Sequence, residues 1–392
     1  MILILAVIYI VFISLGLPDS LFGVAWPVVH TEFGVDESFA SVYSIIVSIC
    51  TGGVSFVSGT LIRKFGTSKV TFVSILLTAA GLLGISLSPN IVVMMLFAVI
   101  MGYGAGAIDT GLNNFVSLHY KARHMNWLHC FWGVGVTVSP MIMSFFLGNG
   151  EDQWRGGYRI IAAMQLSIAV IVLLSLKKWR NIEKNQFVES TEAEEHSSMS
   201  LIGILKIRGV ITSILSLAAY CSMEFLLGTW CATYGVNVFD LPPEEAAKWV
   251  SLYYGGIMAG RIVAGFISVK VSDKNLIRGG IVTSFIGILI LALPIGKASL
   301  FGLLLIGFGF GPIFPSVLHS VPERFGATYS ADITGYHMGG AYAIGFGTQL
   351  IYGFVASWTT FRITPFVLIA ICIGLYLLNE ITLKRLKQNN IQ

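Results

Sequence analysis

Four acidic residues sit inside otherwise apolar stretches of this chain: Asp19, Asp109, Glu224 and Asp332. Placing an ionisable side chain at the centre of a bilayer costs about 2.5–3.5 kcal/mol on insertion scales, so each acid implies a watery cavity, a pairing partner or a proton-transfer role. Asp19 shares a helical face with Phe22, Gly23 and Trp26 by the i, i+3, i+4, i+7 spacing, which sets a carboxylate beside aromatic surface. That combination suits a sugar, whose apolar C–H face packs on rings while carboxylates and amides bond its hydroxyls. The structural alternative is that Asp19 caps or bends the helix after Pro18. Asp109 has Asn113 one turn on and Asn114 beside it. Carboxyls shielded from water can exchange protons near neutral pH as water access changes. The competing reading of Asp109 is an interhelical hydrogen bond. Glu224 lies in Cys221-Ser-Met-Glu224-Phe-Leu-Leu-Gly228-Thr-Trp230, a stretch expected to flex or unwind around Gly228. Asp332 stands at the start of an expected helix, where an acid complements the dipole, and is assigned to structure.

Other polar groups in the apolar stretches add to the candidate set. His129 shares a face with Asn126, Trp132, Gly133, Val136 and Pro140, and His337 with Gly340, Ala341 and Ile344. Either ring could bond a solute or relay protons, against the alternative of a satisfied packing histidine. Trp230 and Tyr234 share a face, and Gln165 and Gln349 are isolated amides. They are expected to contact a solute or to join helices through hydrogen bonds. Arg261, within the eighth apolar stretch, is expected to pair with an acid or a helix-end carbonyl at a gate. No phosphate-binding loop, nucleophile elbow or metal-ligand cluster occurs, so neither an enzyme nor a cofactor or metal is expected. Cys50, Cys130, Cys221, Cys231 and Cys372 lie in apolar segments without paired spacing, and no disulfide is expected.

The elements that must position these groups are membrane helices. Of 392 residues, 55% are hydrophobic and 11% charged, and mean hydropathy is +0.80, against about 25% charged in soluble domains. Twelve spans long enough to cross a hydrocarbon core of about 30 Å follow one another. They cover 3–28, 39–61, 69–88, 91–117, 125–147 and 157–178, then 207–235, 246–270, 276–295, 298–320, 331–356 and 362–383. The expected fold is therefore an all-α membrane protein of two six-helix bundles, 1–178 and 207–392, joined by a polar, flexible linker over 179–206. The 43 glycines suit helices that approach closely in lipid. The first apolar stretch lacks a basic flank and a cleavage pattern and reads as the first helix, not a removed signal.

Most of the 24 basic residues, among them Arg63, Lys64, Lys69, Lys121, Arg123, Lys270, Lys274, Arg278, Arg324, Lys384, Arg385, Lys387 and those of the linker, fall on one side of this topology. By the positive-inside rule that side is cytoplasmic, which places both termini and the linker in the cytoplasm and the chain in the cell membrane as a multi-pass protein.

The halves echo one another. Gly102-Tyr-Gly104-Ala-Gly106 opens the fourth span and Gly307-Phe-Gly309-Phe-Gly311 the tenth, and the fifth and eleventh each carry a histidine near close-set glycines. Repeated halves with a midplane binding site are a common build of secondary transporters. Across its length the chain resembles the major facilitator superfamily. The loop after its second span, Gly59-Thr-Leu61-Ile-Arg63-Lys64-Phe-Gly66-Thr-Ser-Lys69, keeps the superfamily's spacing, but Arg63 stands where an Asp is usual, so the latch assigned to that acid does not carry over. Gly102-x-Gly-x-Gly106, Asn113-Asn114 and Asn126-Trp127-Leu128-His129-Cys-Phe131-Trp132-Gly133-Val-Gly135 with Pro140 resemble the fucose-permease-like sugar:proton symporters over about 40 residues. Gly260-Arg261-Ile-Val-Ala-Gly265 is similar to a Gly-Arg-x-x-x-Gly element of such permeases.

The resemblance implies alternating access by two rocking halves, with spans one, four and seven lining a central cavity. Asp19, Asp109 and Glu224 then become proton-coupling candidates. Trp26, Asn113, Asn114, Asn126, His129, Trp132, Trp230, His337 and Gln349 are candidates for substrate contact, and Gly59, Arg63, Gly260 and Arg261 for gating. The function so implied is proton-coupled uptake of a sugar-like small solute by a monomer in the lipid bilayer. Sodium remains an alternative coupling ion, and proton-driven efflux of drugs or metabolites is the alternative on the same fold. No nucleic-acid partner is expected.

Overall fold

The computed structural model describes residues 2–119, 122–149, 153–187, 201–293, 295–326 and 330–389. They form twelve long helices, the first of them broken in two, and no strand occurs among the described residues. The chain runs through α1 (Ile2–Asp19), α2 (Leu21–Phe33), α3 (Phe39–Phe65), α4 (Thr67–Ser86), α5 (Ile91–His119), α6 (Ala122–Leu147) and α7 (Trp154–Phe187). After the short α8 (Leu201–Lys206) come α9 (Val210–Phe239), α10 (Pro243–Ile267), α11 (Asp273–Ala292), α12 (Phe301–His319), the short α13 (Val321–Phe325), α14 (Ser330–Trp358) and α15 (Thr364–Asn389). Among the described residues nine helices are long and apolar enough to cross a membrane, and α3 and α5 add shorter apolar helices over Phe39–Val54 and Ile91–Gly106. Two compact units result. One is Met1–Glu195 with Pro242–Ser251, the other His196–Leu241 with Leu252–Gln392.

In the first unit α1 is a central helix. Ile4, Ile8, Val11, Phe12 and Leu15 pack in one cluster with Ile108, Leu112 and Phe115 of α5 and Val172 of α7. Pro18 lacks a backbone N–H and disfavours continued helix, and the helix breaks at Ser20 before resuming as α2. The Ser20 hydroxyl donates to the Val136 carbonyl at 2.9 Å, so the break is held against α6. Just before it, α1 and α6 cross with backbones in contact. A Cβ on Gly16 would collide with the Trp132 carbonyl, and one on Gly135 with the Ile13 carbonyl. Close approach of this kind is how small residues join helices where lipid supplies no hydrophobic drive.

At the far end of the same helix a charged clasp ties three elements. Arg155, at the start of α7, pairs with Glu32 of α2 at 2.5 Å and donates to the Ser88 carbonyl after α4 at 3.1 Å. The Trp154 indole N–H donates to the same Glu32 at 2.6 Å, and the Arg155 guanidinium lies 4.4 Å from the Trp154 ring.

Two helices depart from sequence expectation in their extent or continuity. Polar composition suggests a flexible stretch from residue 179, yet α7 continues to Phe187. Trp179 is fully buried and meets Phe115 edge-on at 5.6 Å, so an aromatic anchor carries the helix past its charged residues. Secondly, α9 is unbroken through Gly228. That glycine is needed for space, because a Cβ there would lie 2.6 Å from the Tyr254 hydroxyl. The broken helix is the first one, at Ser20.

Replacing Gly135 by Leu is expected to lower the unfolding temperature in detergent by about 5 °C or more, as overpacking costs about 1–3 kcal/mol. Leu at Gly52, where an added Cβ meets nothing within 4 Å, should leave it nearly unchanged. Equal effects of the two substitutions would contradict the crossing.

Candidate functional site

The exposure pattern around the break singles out one side chain. From Ser14 to Pro27 every residue is buried except Asp19. A helix facing lipid would expose a stripe at the helical period. Between Ser14 and Pro27 no such stripe appears, and the exposed position is a carboxylate near the middle of the span Leu3–Phe33. Exposing that group to hydrocarbon would be expensive, which makes Asp19 a candidate for a water-facing position. The Trp132 indole N–H of α6 donates to Asp19 Oδ2 at 2.7 Å. The Gly16–Gly135 crossing one turn away holds the two helices close enough for this bond.

Further along α1 and α6, Tyr9 stacks on Phe131 with centroids 4.6 Å apart and planes within 9°, and its hydroxyl lies 3.0 Å from His124 Nδ1. The His129 ring meets Phe12 edge-on at 5.9 Å. Trp26 is placed differently from expectation. It is fully buried, donates its N–H to the Glu37 carbonyl at 2.9 Å and sits against Phe22, which stacks on Tyr43 at 3.6 Å. The break at Ser20 interrupts the regular face that Asp19 and Trp26 would share. The aromatic hydrogen-bond donor to Asp19 comes from α6.

In the second unit Glu224 and Arg261, singled out by sequence for separate roles, meet. Arg261 Nη2 lies 3.8 Å from Glu224 Oε1, with both side chains largely buried. The Tyr253 hydroxyl donates to the Glu224 backbone carbonyl at 3.5 Å, and its ring meets Phe310 edge-on at 6.2 Å. Gly260 lets α10 press on α12. A Cβ there would strike the Phe308 carbonyl, and one on Gly311 would come within 2.5 Å of the Arg261 amide nitrogen. The next residue, Phe225, points elsewhere. It stacks on Phe346 at 4.6 Å and 11°, and both lie parallel to Tyr342 at 6.2 and 6.0 Å. All three rings are partly exposed.

The remaining candidates of this unit are engaged inside it. His337 is fully buried, with Nε2 2.8 Å from the Ser213 hydroxyl and Nδ1 2.8 Å from the Ile333 carbonyl. Gln349 donates to the Thr229 hydroxyl at 2.5 Å. Trp230 is fully buried between Tyr352 and Phe361, and its indole N–H has no hydrogen bond. Asp109, Asn113, Asn114, Asn126, Gly59, Arg63 and Asp332 lie on described helices, but their side chains fall outside the described residues. No cluster of potential metal ligands occurs among the described residues.

The sequence did not point to the Tyr9–Phe131 stack or to the Phe225, Tyr342 and Phe346 array. Aromatic residues are common in apolar helices, and only three-dimensional placement shows which rings lie parallel.

Residues 8–349 match the model of the Major Facilitator Superfamily. The chain belongs to that superfamily. It is therefore a membrane transporter by family and not an enzyme. A curated relative, the glucose/mannose transporter GlcP of Bacillus subtilis, is 24% identical over 315 residues, covering 78% of this chain and 76% of the relative. Two solved structures share the fold. The nucleoside transporter NupG aligns with a TM-score of 0.73 at 13% identity, covering 97% of this chain and 99% of that one. The Escherichia coli fucose:proton symporter FucP aligns with a TM-score of 0.64 at 16% identity, covering 95% and 98%.

The pairing of Glu224 with Arg261 carries a stability prediction. Removing one member of a buried ion pair costs about 3–5 kcal/mol, whereas replacing both by neutral groups is far milder. Arg261→Met is expected to lower the unfolding temperature clearly, and the double variant Arg261→Met with Glu224→Gln to recover most of the loss. Additive losses in that cycle, measured by thermal unfolding in detergent, would show the two groups to be uncoupled.

Proposed function

We propose that this chain carries a sugar-like neutral solute across the cell membrane by alternating access, coupled to protons. The observation that carries the reading is Asp19. It is the one exposed residue between Ser14 and Pro27, at the break of the first helix, and a Trp132 N–H bonds it at 2.7 Å. In this reading, proton uptake by Asp19 weakens the Asp19–Trp132 bond and frees both groups to meet the hydroxyls of a solute. Hydrogen bonds to charged groups are worth about 1.5–3 kcal/mol, enough to shift which side of the cycle is populated. Asp109, on α5 with Asn113 and Asn114, is the second protonation candidate. Glu224 is assigned to holding Arg261 at a gate.

The partly exposed stacks Tyr9–Phe131 and Phe225–Phe346, with Tyr342, offer flat faces of the kind that pack on sugar C–H surfaces. The printed functions of two relatives, glucose/mannose transport and fucose:proton symport, support the solute class and the coupling ion. In this reading two six-helix halves, the first ending with α7 and the second beginning with α9, are joined by the stretch between those helices. Both termini face the cytoplasm, and the monomer is the working unit.

Proteoliposomes containing the purified chain provide the test. Adding glucose, mannose or fucose to one side should draw protons with the sugar and make that medium more alkaline. Asp19→Asn should cut proton-driven accumulation by about tenfold or more while leaving sugar counterflow measurable. Trp132→Phe should weaken sugar binding by about fivefold to tenfold. Accumulation that follows a sodium gradient instead, or is unchanged in Asp19→Asn, would overturn the coupling assignment. Failure of every sugar to exchange would overturn the solute class.

A further inference from the structure

A second candidate site lies wholly within the second unit, at the start of α9 and away from Glu224. A cavity of about 390 Å³ opens where α8, the turn into α9 and the last part of α15 meet. Its wall carries three cations, Lys206, Arg208 and Arg385, and none of the residues that line it is acidic. The placement is rigidly built. Ile204 of α8 is fully buried in a core cluster with Val210, Ile214, Val321 and Ile333, which pins the short helix to the bundle. The chain then reverses through Gly209, whose φ of +93° favours glycine, and a Cβ there would lie 3.9 Å from the Arg385 Cβ. No side chain caps the start of α9, so the positive end of its dipole adds to the charge of the three cations.

The rest of the lining is apolar. Leu205, Ile207 and Ile211 complete the wall, and Ile211, on the first turn of α9, is 46% exposed. The apolar span of α9 begins at Val210 and that of α15 ends at Lys387, so the cavity sits at the edge of the hydrocarbon layer. Cations on one side and an exposed isoleucine at the start of the apolar layer match an amphiphile with an anionic head. A freely soluble anion would gain nothing from the apolar wall.

We infer that this cavity is a binding site for a phosphodiester headgroup of an anionic membrane lipid, with Lys206, Arg208 and Arg385 on the phosphate and Ile211 along the acyl chain. The inference does not depend on the transported solute or the coupling ion. Each Lys or Arg near an anionic lipid surface contributes on the order of a few-fold in affinity.

The test titrates the purified full chain in detergent with phosphatidylglycerol, phosphatidylcholine or inorganic phosphate and follows the unfolding temperature. Phosphatidylglycerol is expected to raise it saturably, whereas phosphatidylcholine and inorganic phosphate should not. In the triple variant Lys206→Gln, Arg208→Gln, Arg385→Gln the half-saturating concentration should rise by about tenfold or more. The pair Lys384→Gln with Lys387→Gln, on the same helix but not lining the cavity, should change it by less than about twofold. If the triple variant fails to fold, phosphatidylglycerol retained per chain is compared by mass spectrometry between the parent and Arg385→Gln, with a loss expected. Three results would overturn the inference: equal retention in parent and variant, equal loss in the control pair, or stabilisation by inorganic phosphate alone.

Discussion

A carboxylate in the interior of a membrane protein must be paired, hydrated or neutral, and the two halves of this chain resolve that constraint in opposite ways. In the first unit Asp19 sits at the break of the first helix and is exposed, with the Trp132 indole donating to it. In the second, Glu224 is drawn into the bundle and faced by Arg261 among aromatic rings. An exposed acid can exchange a proton and meet a polar solute. A paired one fixes the geometry of the helices that carry it.

The packing around Asp19 follows from making that arrangement possible. Pro18 permits the break, the Ser20 hydroxyl holds its geometry against α6, and Gly16 and Gly135 bring α1 and α6 near enough for Trp132 to reach across. The Arg155–Glu32 clasp fixes the far end of α2. Pinned at both ends, the broken helix keeps its carboxylate in one place without relying on side-chain burial. This is a polar group held on packed elements, the condition that a binding site needs.

Much of this was legible in the sequence because membrane helices obey few rules. Apolar length marked the spans, and the acids Asp19 and Glu224 stood out because lipid makes charge expensive. What stayed hidden was relational. The face shared by Asp19 and Trp26 assumes an unbroken helix, and the break at Ser20 voids it. Gly228 read as a hinge because glycine weakens a helix, whereas here it makes room for Tyr254. Helix α7 outran its apolar stretch because one tryptophan found Phe115, a contact far apart in sequence. Arg261 and Glu224 each drew attention alone, but no spacing rule joins residues on different helices. The parallel aromatic stacks gave no signal, since ring orientation is set by tertiary packing.

The proposed mechanism depends on Asp19 opening to water from a segment, Ser14–Pro27, that is otherwise buried. It is tested most directly by placing a thiol there. In a chain whose five native cysteines are replaced, Asp19→Cys should react with a membrane-impermeant, water-borne thiol reagent, and a transported sugar should slow that reaction. A cysteine at the neighbouring buried positions Leu17 or Leu21 should stay unreactive. If the thiol at position 19 is as inert as those neighbours, or labels only with lipid-soluble reagents, the carboxylate does not face an aqueous cavity.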